Sequence, residues 1–207
     1  MRQSDVMVYL MTGFLDSGKT QFLTFTLEQD YFQIQGKTLL ILCEEGEEEY
    51  DPKEMLKYGV VIEKVEDKED LTEAWLEEMN RKHKPERVVV EYNGMWPVSD
   101  FEKLALPAGW KIEQKIATVD ASTFQMYLTN LKPLFVEMVK GAELVLFNRC
   151  EDRGPLAGYR RSVKVVSPQA EVIFEDENGE VDNIFEDEVP YDLNAPVIEI
   201  RREIGRA

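Results

Sequence analysis

Short continuous apolar runs alternate with stretches of helical spacing along most of the chain. Val6-Met7-Val8-Tyr9-Leu10-Met11 has the unbroken apolar character of a buried parallel strand, and Gln21 to Glu28 continues at helical spacing through Phe22, Phe25 and Leu27. Thr38 to Cys43 reads as a second strand, followed by an acidic loop and a third strand at Val60 to Val65. A helix follows from Leu71 to about Lys82, with Leu71, Ala74, Trp75 and Met79 on one face. Arg87 to Tyr92 is another strand of the buried type, ending in Asn93-Gly94, and Ser99 to Leu106 a short amphipathic helix.

The second half keeps the rhythm. Lys111 to Val119 reads as a strand and Ser122 to Lys140 as one long helix, bent at Pro133. Leu144 to Phe147 is a strand, Leu156 to Val166 a helix and Ala170 to Phe174 a last strand. Repeated strand–helix units predict an α/β fold, a mostly parallel central sheet with helices on both faces in three layers. Ligands of such sheets sit beyond the carboxyl ends of the strands. Residues 1–175 form the expected domain and 176–207 an acidic hairpin and tail, in which Ala195 to Ile200 is a candidate edge strand.

Charge narrows the partners. With 41 Asp and Glu against 24 Lys and Arg the net charge is −17. Non-specific nucleic-acid binding, which neutralises phosphates with basic side chains, is not expected. No apolar run approaches the roughly 18 residues of a membrane helix, and the first strand begins too early for a secretory signal. The two cysteines, Cys43 and Cys150, form no disulfide framework and read as small apolar residues at strand ends. His83, in Arg81-Lys82-His83-Lys84, reads as a surface residue at a helix C-terminus. A cytoplasmic protein is the expectation.

The chemistry concentrates at Gly13-Phe14-Leu15-Asp16-Ser17-Gly18-Lys19-Thr20, which spells the phosphate-binding loop G-x-x-x-x-G-K-T. Gly13 and Gly18 permit backbone N–H groups to turn inward around a β-phosphate. Lys19 places a point charge between the β- and γ-phosphates, and the Thr20 hydroxyl is a hard oxygen ligand for Mg²⁺. Strand, loop and helix come in the required order, with the helix N-terminus adding its dipole. Glu91 and Asn148 fall at predicted strand ends and converge on the same crevice.

With this loop, Glu91-Tyr92-Asn93-Gly94 and Asn148-Arg149-Cys150-Glu151 in that order, the chain resembles the CobW-like P-loop GTPases, relatives of the GTPases that deliver nickel to urease and hydrogenase. The resemblance spans most of residues 5 to 175. It implies a P-loop NTPase fold, a strand-terminal Glu-x-x-Gly matched by Glu91 and Gly94, and a first switch resembled by Cys43 to Asp51. By the resemblance Glu91 holds Mg²⁺ through water or orients the attacking water, and the Gly94 N–H approaches a γ-phosphate. Asn148, Arg149 and Glu151 occupy the places of the family's Asn-Lys-x-Asp guanine reader. There Arg can cover the base, and Glu can accept the bidentate pair if its loop retreats by about one methylene.

Three departures bear on this. The family's Cys-x-Cys-Cys metal motif is missing, which excludes a site of three thiolates. The carboxylates Glu44, Glu45, Glu47, Glu48, Glu49 and Asp51 remain as donors for a harder ion, or as a solvated acidic loop. The family's usual C-terminal domain is also expected to be missing. Asp16 places a carboxylate where small residues are common. It is read as acting on the nucleotide or ion of a second copy across a homodimer interface, or as holding an arginine.

The expected function is a GTPase using GTP and Mg²⁺, slow without a partner, linked to metal trafficking or to maturation of a metalloprotein client. Two alternatives stand beside it: a nucleotide-binding regulatory module with little hydrolysis, and an ATP-using protein on the same loop.

Overall fold

The computed structural model describes residues 5–43, 49–151, 156–177 and 179–181. Its strands are β1 (Val6–Gly13), β2 (Thr38–Leu42), β3 (Val60–Lys64), β4 (Arg87–Glu91), β5 (Trp110–Asp120), β6 (Leu144–Asn148), β7 (Glu171–Asp176) and β8 (Gly179–Glu180). They form one sheet in the order β3-β2-β4-β1-β5-β6-β7-β8. The first seven are mutually parallel, and β8 pairs antiparallel with β7. The helices are α1 (Lys19–Glu28), α2 (Pro52–Lys57), α3 (Glu73–His83), α4 (Val98–Glu102), α5 (Phe124–Asn130), α6 (Lys132–Val139) and α7 (Leu156–Val166).

Alternation along the strands divides the core. Val8, Leu10, Leu39, Ile41, Val88 and Val90 pack with Leu76 and Met79 of α3 and Phe101 of α4. Their neighbours Met11, Leu40, Leu42 and Val89 point the other way, to Leu23 and Leu27 of α1 and Met55 of α2. Further along the sheet Val145, Phe147 and Phe174 meet Phe124, Phe135, Tyr159 and Val163. Helices therefore cover both faces, as the sequence pattern predicts. Central strands such as β2, buried at every position, read as continuous apolar runs for this reason.

β1 lies between β4 and β5; the connection leaving β1 runs to β2 on one side, and the connection leaving β4 crosses to β5 on the other. The crevice beyond β1 is the place where a parallel sheet of this kind accepts a ligand, and the loop from Gly13 to Gly18 occupies it.

The structure corrects four local expectations. The segment expected as loop before β3 contains α2, started by Asp51, whose carboxylate accepts from the Lys53 and Glu54 backbone N–H groups with Pro52 in the first turn. The inner face of α3 uses Leu76 in place of the exposed Ala74. The long helix expected over 122–140 is two helices, because Pro133 lacks an N–H and its ring obstructs the carbonyl four residues back; the chain breaks at Leu131 and restarts with Pro133 in the first turn of α6. The helix expected over Ser99–Leu106 is the shorter α4. Past residue 175 a short β7–β8 hairpin is present, whereas the candidate strand Ala195–Ile200 lies outside the described residues.

Candidate phosphate and nucleotide site

Two glycines, one in the loop and one packed on it, are needed for definite reasons. Gly18 has φ +86°, and a Cβ there would lie 2.4 Å from the Asn148 side-chain amide nitrogen. Gly94 is required by close approach: a Cβ would stand 2.1 Å from the Gly13 carbonyl oxygen and 2.8 Å from the Phe14 Cα. The residue expected to bring a backbone N–H towards a γ-phosphate is thus packed directly on the loop's own backbone.

Lys19 is buried at the start of α1. Its Nζ donates to the carbonyl oxygens of Gly13 (2.9 Å) and Phe14 (3.0 Å), which holds the ammonium over the mouth of the loop. Ser17, 2% exposed, shares a 2.9 Å hydrogen bond with the Thr118 hydroxyl, which also donates to the Thr12 carbonyl. β5 thereby braces the loop from beneath.

Thr20 and Glu91 meet. The Thr20 hydroxyl donates to Glu91 Oε1 at 2.8 Å, and the Tyr50 hydroxyl donates to Oε2 at 2.5 Å. Glu91 ends β4 at 4% exposure, so its carboxylate depends on such donors. Thr20 spends its one proton on Glu91, which leaves its lone pairs available to a hard cation. This all-oxygen donor pair fits Mg²⁺.

The third expected group comes from the end of β6. Asn148 donates its amide to the Ser17 carbonyl at 2.8 Å, while its Oδ1 is buried and has no partner among the described residues. Arg149 adopts a left-handed backbone with φ +54°. Its guanidinium donates to the Asp16 carbonyl (2.8 Å) and to Asp120 Oδ2 (2.5 Å). Glu151 is exposed in the following turn.

Burial pushes the Asp120 carboxyl up, but the Ser122 hydroxyl, Arg149 and the Ser122 amide together hold it below the usual carboxylate range. Asp16 is exposed with φ +57°, a left-handed conformation that Asp and Asn enter more readily than other non-glycine residues. Its presence thus has a conformational reason, and it is Asp16's main-chain carbonyl that receives an arginine.

The remaining candidates lie elsewhere. Cys43 and Cys150 are buried, and burial first of all pushes the Cys150 thiol up to about 11. His83 ends α3 as expected, but its Nε2 lies 2.6 Å from Glu63 Oε1, so it is packed against β3 and not free on the surface. Asp51 caps α2, and Glu44, Glu45, Glu47 and Glu48 lie outside the described residues. Among the described residues no three His, Cys, Asp or Glu side chains stand close enough to hold a metal ion.

A profile of the CobW/HypB/UreG nucleotide-binding domain matches residues 7–174. The chain belongs to that family. No curated protein sequence matches it.

Solved structures with the same fold include the hydrogenase maturation factor HypB of Archaeoglobus fulgidus, at TM-score 0.58 and 19% identity over 83% of this chain and 81% of that one. The Zn(II)-bound YjiA GTPase of E. coli aligns at TM-score 0.61 and 22% identity, over 87% of this chain but 60% of YjiA, so the chain spans three-fifths of that protein's length. HypB of Helicobacter pylori in complex with nickel aligns at TM-score 0.57 and 14% identity, over 83% and 79%.

The loop, Glu91–Gly94 and Asn148–Glu151 all lie within the residues that match the CobW/HypB/UreG domain. Sequence reasoning gives no individual role to Tyr50, which it places within the expected first switch, or to Asp120, whose Val119-Asp120-Ala121 segment resembles the family layout, and it passes over Thr118. Asp120 ends β5 at the same level as Asn148 on β6, a pairing that the strand register fixes and single-strand patterns do not show.

Proposed function

We propose that the chain is a GTP-binding protein that hydrolyses GTP with Mg²⁺ and acts as a nucleotide-dependent switch linked to metal trafficking or metalloprotein maturation. The observation that carries this reading is the Thr20–Glu91 hydrogen bond beside the buried ammonium of Lys19. In this reading Lys19 moves from the Gly13 and Phe14 carbonyls onto the β- and γ-phosphate oxygens, an exchange of two acceptors for more strongly charged ones. Thr20 and Glu91 are the residues that would hold Mg²⁺, which when bound neutralises charge on the phosphates. Glu91, held by two hydroxyls, is suited to orienting the attacking water.

On the base side Asn148 and Arg149 join the reader loop to the phosphate loop through the Ser17 and Asp16 carbonyls. Glu151 supplies the carboxylate for the guanine edge from an exposed turn. Slow turnover without a partner follows, because most of the rate in this chemistry comes from positioning and charge stabilisation. The link to metals is supported by relatives that bind zinc and nickel. A metalloprotein client and a homodimer facing across the nucleotide belong to the same proposal.

The test is binding and release of labelled GTP and ATP, with and without Zn²⁺, Ni²⁺ or Co²⁺, while oligomeric state is followed. Phosphate release from GTP in preference to ATP, with affinity reduced about tenfold or more in Lys19→Ala, supports the reading. Equal binding of both nucleotides by the parent protein and Lys19→Ala sinks it.

A further inference from the structure

Glu91 is approached from a direction that the loop motif does not supply. Tyr50 is buried, and its ring packs with Met11, Leu23, Leu42 and Met55 between β1, β2 and the helices α1 and α2. Its hydroxyl reaches a polar group, donating to Glu91 Oε2 at 2.5 Å. A buried phenol needs a partner and a buried carboxylate needs donors, so the contact answers both requirements. Tyr50 is followed by Asp51 and Pro52, whose cap and fixed φ define where α2 begins and so where the phenol is delivered. Cys43 donates its backbone N–H to the Glu91 carbonyl at 2.9 Å, so the described residues on both sides of 44–48 reach the same glutamate.

A carboxylate turns easily about its last torsion, which is broad and roughly two-fold. One hydrogen bond from Thr20 fixes a single oxygen. A second bond, to the other oxygen, fixes the plane of the group, and with it the direction in which the Thr20 proton is drawn and its lone pairs face.

We propose that Tyr50 is a positioning residue of the nucleotide site, holding the Glu91 carboxylate so that Thr20 presents its oxygen to the metal and Glu91 keeps its orientation towards water. The proposal rests on the reading of this loop as a Mg²⁺–nucleotide site. A purely structural Tyr50 would contribute its ring to the α1–α2 core and leave metal dependence untouched.

The experiment is a Mg²⁺ titration of mant-GDP affinity, with GTP turnover measured alongside, in the parent protein, Tyr50→Phe and Lys19→Ala. Tyr50→Phe keeps the ring and removes one hydroxyl. Its metal-free nucleotide affinity stays within about twofold, its Mg²⁺ midpoint rises about tenfold, and kcat falls about tenfold with KM nearly unchanged, the scale of one hydrogen bond to a charged group. Tyr50→Met, which fills the apolar volume without a hydroxyl, shifts the midpoint in the same direction.

An unchanged Mg²⁺ midpoint in both Tyr50 variants, with binding lost in Lys19→Ala, overturns this proposal and leaves the site reading standing. Nucleotide bound equally by the parent and Lys19→Ala overturns the site reading and this proposal with it. A parent that binds nucleotide without turnover removes only the hydrolysis reading, and the midpoint shift still supports the role of Tyr50.

Discussion

Asp16, Arg149 and Asp120 form a chain of contacts whose logic is largely main-chain. Asp16 and Arg149 both have positive φ, and Arg149 spans the carbonyl of one and the carboxylate of Asp120. If the Asp16 side chain serves chiefly to permit its backbone conformation, glycine is a good replacement and a β-branched residue a poor one. Asp16→Gly is expected to keep nucleotide affinity within about twofold at protein concentrations on either side of any dimerisation. Asp16→Val is expected to lose about 1–2 kcal/mol of stability through left-handed strain, read from urea unfolding. A loss of turnover in Asp16→Gly confined to the dimer would instead assign its carboxylate to a second copy.

The Asp120–Arg149 pair makes a further prediction, through pH. Asp120 sits below its ordinary range in the folded protein, so the unfolded chain binds that proton more readily. Its contribution is complete above the unfolded value near about pH 4 and is lost as pH falls through the depressed folded value. Arg149 remains charged throughout. The stability difference between the parent and Asp120→Asn is therefore expected to be flat from neutral pH to about pH 5 and to shrink below about pH 4. It stays below about 1 kcal/mol, because Arg149 is 46% exposed. Melting curves across that range check it.

At the scale of elements, what could be read from the sequence is what a single strand or helix encodes by itself. Central strands announced themselves because burial on both faces leaves apolar residues at successive positions, as in Thr38–Leu42 and Arg87–Glu91. The site residues were legible because the loop, Glu91 and Asn148 each sit at the end of such a run. Two kinds of information were not. The first is short capping chemistry: α2 has six residues, too few for a periodicity, and its evidence was the Asp51-Pro52 pair submerged in an acidic stretch. The second is contact between elements, as in Tyr50 meeting Glu91 or Thr118 meeting Ser17, separations of 41 and 101 residues. Asp51→Ala removes the carboxylate that accepts from the two N–H groups opening α2 and is expected to cost about 1 kcal/mol, measured from the urea midpoint. Because α2 sets the position of Tyr50, the same variant is expected to raise the Mg²⁺ midpoint in the sense of Tyr50→Phe. Stability lost without that rise would separate the cap from the site.

At the scale of the whole molecule, a chain of net charge −17 must receive an anionic ligand. Two ranges of electrostatics then oppose each other. Within a few ångströms of the phosphates, Lys19, the N–H groups of the loop and the start of α1 attract, and salt screens contacts at that distance weakly. Farther out the surplus of carboxylates repels, and this is the part that ionic strength controls. Raising salt from about 20 to 200 mM shortens the Debye length from roughly 20 to 7 Å, which removes most of the repulsion before the ligand arrives and little of the attraction after it docks. The association rate of mant-GTP is therefore expected to rise with ionic strength while the dissociation rate changes little, the reverse of the salt dependence of proteins that bind nucleic acid through basic surfaces. Stopped-flow traces at several KCl concentrations decide the matter. An association rate that falls as salt is added would mean that the local field of Lys19 and Arg149 governs the approach as well as the docked state, and that the acidic residues act too far from the crevice to be felt there.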